Sequence, residues 1–323
     1  MIDFVEPPKL WIPERPAIIR PGIDIARYFP VDLDRHARRA IVSELIKSGR
    51  VEKGAIPFGM FSKAPSSNNS LISILTTLGL TSGLKAALDA GDASSWPGSG
   101  QTWLDTSGTG SNFYLGTSSG TDSADPTFNG TVGGLSSSEY WSFDGADYFT
   151  VVGGNPAWVN TMHKKSAKVA WASWVRPASV NLQTIFANLN NNLGAGIGFA
   201  AYLRAEGTFR VRVRGNSATA KEITTSATYT ANNWLFVSGR IDESESSNGA
   251  SVGLNDTFED FSSTYATPST SDAAIPLTIG SCGTNEPIEN NGRMAQQAFW
   301  TETIPSKADL LSLFNATKGR FGL

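Results

Sequence analysis

From about residue 80 onward, short apolar segments alternate with clusters of the turn-forming residues Gly, Asn, Asp and Ser. This alternation restricts the possible fold classes more than any other feature of the chain. The clearest segment is TFRVRVRG at 208–215, where Phe and Val alternate with Arg as on the two faces of a strand. Further strands are predicted over 167–177, 233–242, 250–256, 276–282 and 293–304. Many short strands at such spacing predict a mainly β fold, an antiparallel sandwich or barrel.

Two helices are predicted at the ends of this region. Near the C-terminal end, Ser306 is a suitable N-cap, Asp309 occupies the reciprocal capping-box position, and Gly319 is the predicted stop. A second short helix is predicted over 70–79. The predicted buried stripes consist of Leu310, Leu313 and Phe314 in one helix and Leu71, Ile74, Leu75 and Leu78 in the other.

Composition excludes several classes of protein. Hydrophobic residues make up 40% of 323 residues, so the chain can bury a sizeable core, and a net charge of −3 argues against a nucleic-acid binder. Cys282 is the single cysteine, which excludes a disulfide scaffold and a multi-cysteine zinc site. The sequence has no uninterrupted apolar stretch of the ~20 residues that a membrane span needs, and the opening MIDFVEPPKLW lacks the pattern of a secretory signal. We therefore expect a soluble protein that folds in a cytoplasm, without membrane insertion.

The N-terminal part differs from the rest in charge and in proline content. Residues 1–85 hold 12 of the 26 Lys and Arg residues but only 8 of the 29 acidic ones, and the first 65 residues hold 8 of the 16 prolines. Because proline fixes φ and lacks an N–H group, the opening is predicted to be an extended arm that docks on another protein, with a disordered tail as the alternative. A helix is predicted over 32–48. The predicted anchoring residues of the arm are Pro7, Pro8, Leu10, Trp11, Ile12, Pro16, Ile18 and Ile19.

Five segments of the strand-rich region follow one another in an order that is found in a known family. They are LKAALDAGDASSWPGSGQTWLDTSG, YWSFDGADYFTV, AKVAWASWVRP, NNWLFVSGRID, and LTIGS followed by NGRMAQQAFWTETIPSKADLLSLFN. From about Leu84 to Phe321 the chain resembles a concanavalin A-like lectin/glucanase jelly roll of the laminin-G type. Within YWSFDGADYFTV we expect two paired strands joined by a tight reversal at Asp144-Gly145. The predicted organisation is an arm and helix at 1–65, a linker with a short helix at 66–83, and a sandwich with a C-terminal helix at 84–323.

The arm suggests a second resemblance. Its residues PPKLW and PAIIR are similar to the openings of structural proteins of tailed bacteriophages. This resemblance implies a location on the virion surface after synthesis in the host cytoplasm. It also implies contact with the major capsid protein or tail proteins, and we expect a homo-oligomer.

The residues do not support catalysis. Glucanases of this jelly roll carry a Glu-x-Asp-x-x-Glu strand that supplies paired carboxylates, and that pattern does not occur here. The two histidines, His36 and His163, lie in different regions, and no Ser-His-Asp arrangement is apparent. We therefore predict a protein that is not an enzyme and holds no cofactor.

The resemblance leaves a Ca²⁺ site open, because laminin-G-like domains often hold Ca²⁺ between loops. The Asp that is common in the family's closing strand appears here as Gln296 or Gln297, which counts against that site. The remaining candidate ligands are Asp144, Asp147, Asp256 and Asp260, for which turn formation is the preferred interpretation.

Sugar binding would use exposed aromatic rings together with Asn and Asp side chains. Trp158 lies in a predicted loop, as do Asn160, Asn190, Asn191 and Asn192, whereas Trp171, Trp174 and Trp234 are assigned to the core. The side chains of Arg210, Arg212 and Arg214 could meet an anionic glycan or an acidic neighbouring subunit, although an ordinary solvent-facing surface is the preferred interpretation.

Taken together, these features predict a non-enzymatic bacteriophage virion structural protein. Its arm would anchor it to the particle, and its lectin-like domain would project as a capsid decoration or head fibre-like protein. That domain would cement neighbouring subunits, bind host surface glycans weakly, or do both. A tail fibre or tail-tip receptor-binding adhesin is one alternative, and a polysaccharide depolymerase is another.

Overall fold

The structure, a computed structural model, describes residues 69–189, 196–215, 218–245, 247–283 and 285–323. The predicted arm and helix of residues 1–65 lie outside these ranges, and so do Asn190, Asn191 and Asn192. The described residues therefore comprise the strand-rich region and the short helix that precedes it.

Sixteen strands of the described residues form two antiparallel sheets of eight strands each. This arrangement confirms the predicted mainly β antiparallel sandwich. In chain order the elements are α1 (Leu71–Thr77), β1 (Leu84–Asp89), β2 (Thr102–Trp103), β3 (Phe113–Leu115), β4 (Thr127–Asn129), β5 (Tyr140–Ser142), β6 (Phe149–Val151), α2 (Ala157–Thr161), β7 (Lys168–Arg176), β8 (Gln183–Ala187), β9 (Gly198–Leu203), β10 (Phe209–Arg214), β11 (Thr219–Thr224), β12 (Leu235–Asp242), β13 (Ala250–Leu254), β14 (Thr257–Phe261), β15 (Thr278–Ile279), β16 (Arg293–Thr301) and α3 (Lys307–Thr317).

Strands that are distant in sequence are neighbours in both sheets. Sheet 1 has the order β14-β13-β12-β7-β16-β5-β4, and β1 also pairs with β16. Sheet 2 has the order β11-β10-β9-β8-β15-β6-β3-β2. Strand β16 pairs with β7 along one edge, whereas its other edge is shared by β5 near Arg293 and by β1 near Trp300. The last long strand is therefore central to sheet 1.

Aromatic rings fill much of the space between the two sheets. The ring centroid of Trp141 lies 4.7 Å from that of Trp96, 5.8 Å from that of Trp103 and 5.3 Å from that of Phe149, all in edge-on contact. Such pairs contribute about 0.5–1.5 kcal/mol each beyond the burial of their area. Side-chain packing therefore supplements the few backbone hydrogen bonds of the short strands β2, β3, β5 and β6.

The stretch from Tyr140 to Val151 is not the strand pair that the sequence predicted. Strand β5 belongs to sheet 1 and pairs with β4 and β16, whereas β6 belongs to sheet 2 and pairs with β3 and β15. The turn at Asp144-Gly145 does form, and Gly145 has a φ of 97°, which glycine tolerates without strain. The turn carries the chain from one sheet to the other, so that Trp141 and Phe149 meet as core residues rather than as partners in a hairpin.

Two helices cover part of the outer face of sheet 1. Leu75 of α1 and Leu313 of α3 belong to one buried cluster with Trp174 of β7, while Trp171 of the same strand points into the space between the sheets. This second apolar layer explains why β7 is buried on both faces. The helix of the predicted linker therefore packs on the sandwich, although the predicted domain boundaries themselves stay a prediction. Among the described residues, no helix has the length and apolar character that crossing a membrane requires.

Both ends of α3 lie at or close to the predicted positions. The Ser306 hydroxyl accepts a hydrogen bond from the Asp309 amide, and the Asp309 carboxylate accepts one from the Ser306 amide. The α-helix ends at Thr317, two residues before the predicted stop at Gly319. A 3-10 turn then continues from Lys318 to Phe321 and ends at Gly322, which has a φ of 82°. This turn brings the Phe321 ring onto Trp174, with 4.2 Å between the ring centroids.

A buried ion pair connects β1 to this final turn. Arg320 Nη1 donates to both carboxylate oxygens of Asp89, at 2.8 and 2.9 Å, and only 7% and 1% of the two side chains are exposed. The Asp89 carboxylate also accepts hydrogen bonds from Gln296 Nε2, from the Leu71 amide and from the Gly91 amide, each at 2.9 Å. A Cβ atom at Gly91 would lie 2.4 Å from Arg320 Nη2, so a larger residue there would displace the guanidinium group that pairs with Asp89. The partners around the carboxylate offset the cost of burying its charge.

We expect the substitution Arg320→Ala to lower the free energy of unfolding by about 3–5 kcal/mol, because it leaves the Asp89 charge buried without its counter-ion. Urea unfolding at neutral pH measures the change. The control Lys318→Ala alters a residue of the same turn whose ammonium group donates to Asn315 at the surface and lies 5.2 Å from the centre of the Phe314 ring. It should change stability by no more than about 1 kcal/mol. Equal effects of the two substitutions would show that the ion pair does not stabilise the fold.

Candidate functional site

An open cleft of about 550 Å³ lies beside the start of β12. Its walls come from the loop before β12 (residues 227–230 and 232–235), from the turn between β13 and β14 (residues 254–257) and from the last residues of the chain (321–323). Its volume lies within the range of typical small-molecule sites in proteins.

Trp234 forms one wall of this cleft and is the functional candidate that the sequence analysis missed. It was assigned to the core, but its side chain is only partly buried. Its ring centroid lies 4.8 Å from that of Phe321 and 6.2 Å from that of Tyr140. The indole is therefore held by two aromatic neighbours while part of its surface remains open to a ligand.

Polar side chains at the rim of the cleft are held by hydrogen bonds. Asn233 Nδ2 donates to Thr230 Oγ1 at 2.7 Å, and Asn255 Oδ1 accepts from the Phe236 amide at 3.0 Å. The Asp256 side chain is exposed on the same rim. An ordered aromatic surface beside amide and carboxylate groups suits the apolar faces and the hydroxyl groups of a sugar.

The structure corrects the expectation for Trp158, which was placed in a loop. Trp158 lies in the short helix α2 with 8% of its surface exposed, its ring centroid is 5.5 Å from that of Phe299, and its Nε1 donates to Ser111 Oγ at 3.2 Å. Asn160 Oδ1 accepts a hydrogen bond from the Ala273 amide at 3.2 Å. Both side chains hold the sandwich together, and the Trp158 ring has no open face on which a sugar could stack.

The arginine stripe of β10 also differs from the expected solvent face. Glu222 on β11 pairs with Arg210 at 2.7 Å and with Arg212 at 2.6 Å. Only 8% of Arg212 and 9% of Arg214 is exposed, and the Arg212 guanidinium lies 5.8 Å from the centre of the Tyr202 ring. Burial raises the pKa of the Tyr202 hydroxyl, and the charge of Arg212 opposes that shift. The stripe is therefore partly neutralised within the protein and offers an anionic partner little accessible charge.

The turn after β5 contains Asp147, a carboxyl group whose pKa is raised. Asp147 Oδ2 accepts a hydrogen bond from the Asp144 amide at 2.8 Å, and 4% of Asp147 is exposed. Burial raises the pKa of Asp147 to about 7, and the nearby charges of Asp144 and Asp125 act in the same direction. The turn therefore contains a carboxyl group that keeps its proton to a higher pH than an exposed Asp does.

The candidate Ca²⁺ ligands do not form a site. Asp144 and Asp147 share one turn, whereas Asp256 and Asp260 lie at the hairpin of β13 and β14, where Asp260 pairs with Lys307 at 2.5 Å. Within the described ranges, no three His, Cys, Asp or Glu side chains are grouped so that they could hold a metal ion. Gln296 is used elsewhere, as a donor to the Asp89 carboxylate. The four candidate ligands therefore do not fit a Ca²⁺ ion.

Comparison with known proteins identifies the fold. No protein-family model matches the sequence. No curated protein matches it either. Among solved structures, the chain is similar to the binding domain of botulinum neurotoxin DC in complex with SialylT, with a TM-score of 0.52 and 13% identity over 73% of this chain and 52% of that one. The binding domain of Paraclostridial Mosquitocidal Protein 1 gives a TM-score of 0.51 and 13% identity over 73% and 52% of the two chains.

A botulinum neurotoxin type C structure, described as showing that cell entry depends upon interaction with two ganglioside molecules, gives a TM-score of 0.51 and 12% identity over 75% and 53% of the two chains. The present chain thus spans about half the length of the chains it matches. At such low identity the likeness concerns the fold alone. It confirms the predicted class, an antiparallel β-sandwich of the concanavalin A-like type.

The raised pKa of Asp147 predicts a pH dependence of stability. The folded protein keeps this proton up to about pH 7, whereas the unfolded chain releases it near pH 4. The stabilisation is therefore complete below about pH 4 and is lost as the pH rises to 7, by at most about 4 kcal/mol. Denaturant unfolding from pH 4 to pH 8 should show this loss in the wild type and not in Asp147→Asn. The exposed Asp256→Asn serves as the control, and parallel profiles of Asp147→Asn and the wild type would contradict the assignment.

Proposed function

We propose that the sandwich is a non-enzymatic lectin-like domain that binds the carbohydrate of a surface receptor in the Trp234 cleft. One observation carries the proposal: a partly exposed indole, held between Tyr140 and Phe321, lines an open cleft of about 550 Å³ with Asn233 and Asp256 at its rim. An aromatic wall with a few fixed polar groups is the common composition of a sugar site.

The structural comparisons support the class of function. One similar domain is described in complex with SialylT, and another belongs to a toxin whose cell entry depends on gangliosides. Because each match covers about half of the neighbour's chain, the positions of those ligands are not transferred to this protein. The support is for carbohydrate or receptor binding in general.

We further propose that the domain is displayed on a bacteriophage particle, as a capsid decoration or head fibre-like protein anchored by residues 1–65. The proline-rich opening and the excess of basic residues before residue 86 support this role. An extended arm can lie across several neighbouring subunits, which suits a repeating capsid surface. A tail fibre or tail-tip adhesin would use the same domain at a different place on the particle.

A polysaccharide depolymerase is the second candidate function, and Asp147 is the observation that favours it. Glycoside hydrolysis uses one protonated acid and a second carboxylate, and Asp147 has a pKa of about 7 beside Asp144. Against this role, the carboxyl group is buried and one of its oxygens holds the turn. Cleavage of a host capsule polysaccharide that is lost in Asp147→Asn and kept in Asp256→Asn would establish the enzyme and overturn the lectin proposal.

The first test of the lectin proposal is the substitution Trp234→Ala, measured on an array of bacterial surface glycans. We expect every bound glycan to lose at least about tenfold in affinity, equivalent to about 1.4 kcal/mol, because the aromatic wall is removed. Tyr114→Ala removes a partly exposed ring from β3 in the other sheet, and this control should bind as the wild type does. Binding that survives Trp234→Ala in a folded protein would place the site elsewhere.

The proposed anchoring role is tested with purified phage particles. The full-length protein and a truncated protein that begins at residue 66 are mixed with empty heads and, separately, with tails. We expect the full-length protein to bind heads and the truncated protein not to bind, since the arm would carry the contact. Binding to tails alone would assign the protein to the adhesion machinery, and binding to neither would contradict a role in the virion.

A further inference from the structure

Two arginines lie side by side at the end of sheet 1. Arg176 ends β7 and Arg293 begins β16, and the antiparallel register places them directly opposite each other. Like charges in directly opposite positions of a sheet repel each other and destabilise the pair. Partial burial lowers the pKa of the Arg176 guanidinium, and the charge of Arg293 lowers it further.

No carboxylate of the described ranges forms an ion pair with either arginine. This sets the two apart from most arginines of the domain, which have an acidic partner. The arginines paired in this way are Arg204, Arg210, Arg212, Arg240 and Arg320. Two adjacent cations without an acidic partner among the described residues do not stabilise the fold, so their presence suggests a role in binding.

A neighbouring residue fixes the position of each guanidinium group. Arg176 Nε donates to the Asn232 carbonyl at 2.9 Å, and the Arg293 guanidinium lies 4.3 Å from the centre of the Tyr140 ring. Each group keeps further N–H donors in a planar arrangement that matches the two oxygens of a carboxylate or a sulfate. The pair is therefore ordered before a ligand arrives.

Tyr140 connects this pair to the cleft. One neighbour of its ring is Arg293, and another is Trp234, whose ring centroid is 6.2 Å away. Asn232, which holds Arg176, also lines the cleft. A ligand that contacts the indole and extends past Tyr140 would thus reach both arginines.

We propose that the ligand of the Trp234 cleft is an anionic sugar chain, and that its carboxylate or sulfate group binds between Arg176 and Arg293. The inference rests on the proposed carbohydrate-binding function and specifies its ligand class. Binding would supply a counter-ion that the described part of the chain does not provide, and it would weaken as salt screens the charges.

The test uses the full-length protein on an array in which neutral, carboxylate-bearing and sulfated glycans share the same backbones. We expect the wild type to prefer the charged members. The double variant Arg176→Gln and Arg293→Gln should lose at least tenfold in affinity for them, and its binding should become insensitive to salt. The variant should unfold at the same temperature as the wild type or higher, because two repelling charges are removed.

Arg204→Gln is the matched control, because it removes the same kind of charge from an arginine that is paired with Glu206, and it should bind as the wild type does. Loss of binding on methyl esterification of the glycans would identify a carboxylate, and loss on desulfation would identify a sulfate. The inference is wrong if the wild type prefers neutral glycans. It is also wrong if the double variant binds charged glycans normally while Trp234→Ala abolishes binding. In both cases the lectin proposal stands. If the wild type binds no glycan of the array, both are wrong.

Discussion

The contact between Asp89 and Arg320 joins parts of the domain that are 231 residues apart in sequence. Through one carboxylate, the first strand, the beginning of α1, strand β16 and the final turn are held together. Strand β1 pairs only with β16 in its sheet, so this cluster adds a second attachment at the place where the sheet order branches. Burying the Asp89 carboxylate would be unfavourable with fewer partners. Because these partners come from both ends of the domain, the early and late segments each need the other in order to pack.

The same turn also contributes to the candidate site. Phe321, next to Arg320, stacks on Trp174 beneath the helices and lies against Trp234 at the cleft. Tyr140 and Trp234, both partly buried, pack against the apolar cluster that contains α1 and α3, and the Arg293 guanidinium lies over the Tyr140 ring. The apolar layer on the outer face of sheet 1 therefore borders both the cleft and one of the two arginines.

Local sequence patterns predicted where the strands and helices lie better than they predicted which elements become neighbours in the fold. The strand β10, the capping box of α3 and the buried residues Leu71, Ile74 and Leu75 of α1 are local properties and appear as expected. The turn at Asp144-Gly145 was also predictable, but turn chemistry does not say whether the two flanking strands enter the same sheet. The 3-10 turn after α3 shows the same limit, because it packs Phe321 on Trp174, a ring that is distant in sequence.

The candidate site was harder to predict for the same reason. Trp158 and Trp234 both stand near Asn and loop residues, and only the surrounding packing distinguishes the buried ring from the open one. The arginine stripe of β10 was visible because its three members are close in sequence. Arg176 and Arg293 become neighbours only through the register between β7 and β16, which no local pattern reveals. The predictions for residues 1–65 concern a part of the chain outside the described residues and stay predictions.

The cleft is assembled from three segments that are brought together only when the chain folds. The unfolded chain therefore has no equivalent surface, and a ligand of the cleft binds the native state alone. Such selective binding shifts the folding equilibrium towards the native state by an amount that grows with the logarithm of ligand concentration. The melting temperature of the domain can thus report on a ligand whose identity is not yet known. When a mixture of glycans is separated into fractions, the fraction that raises the melting temperature contains the ligand.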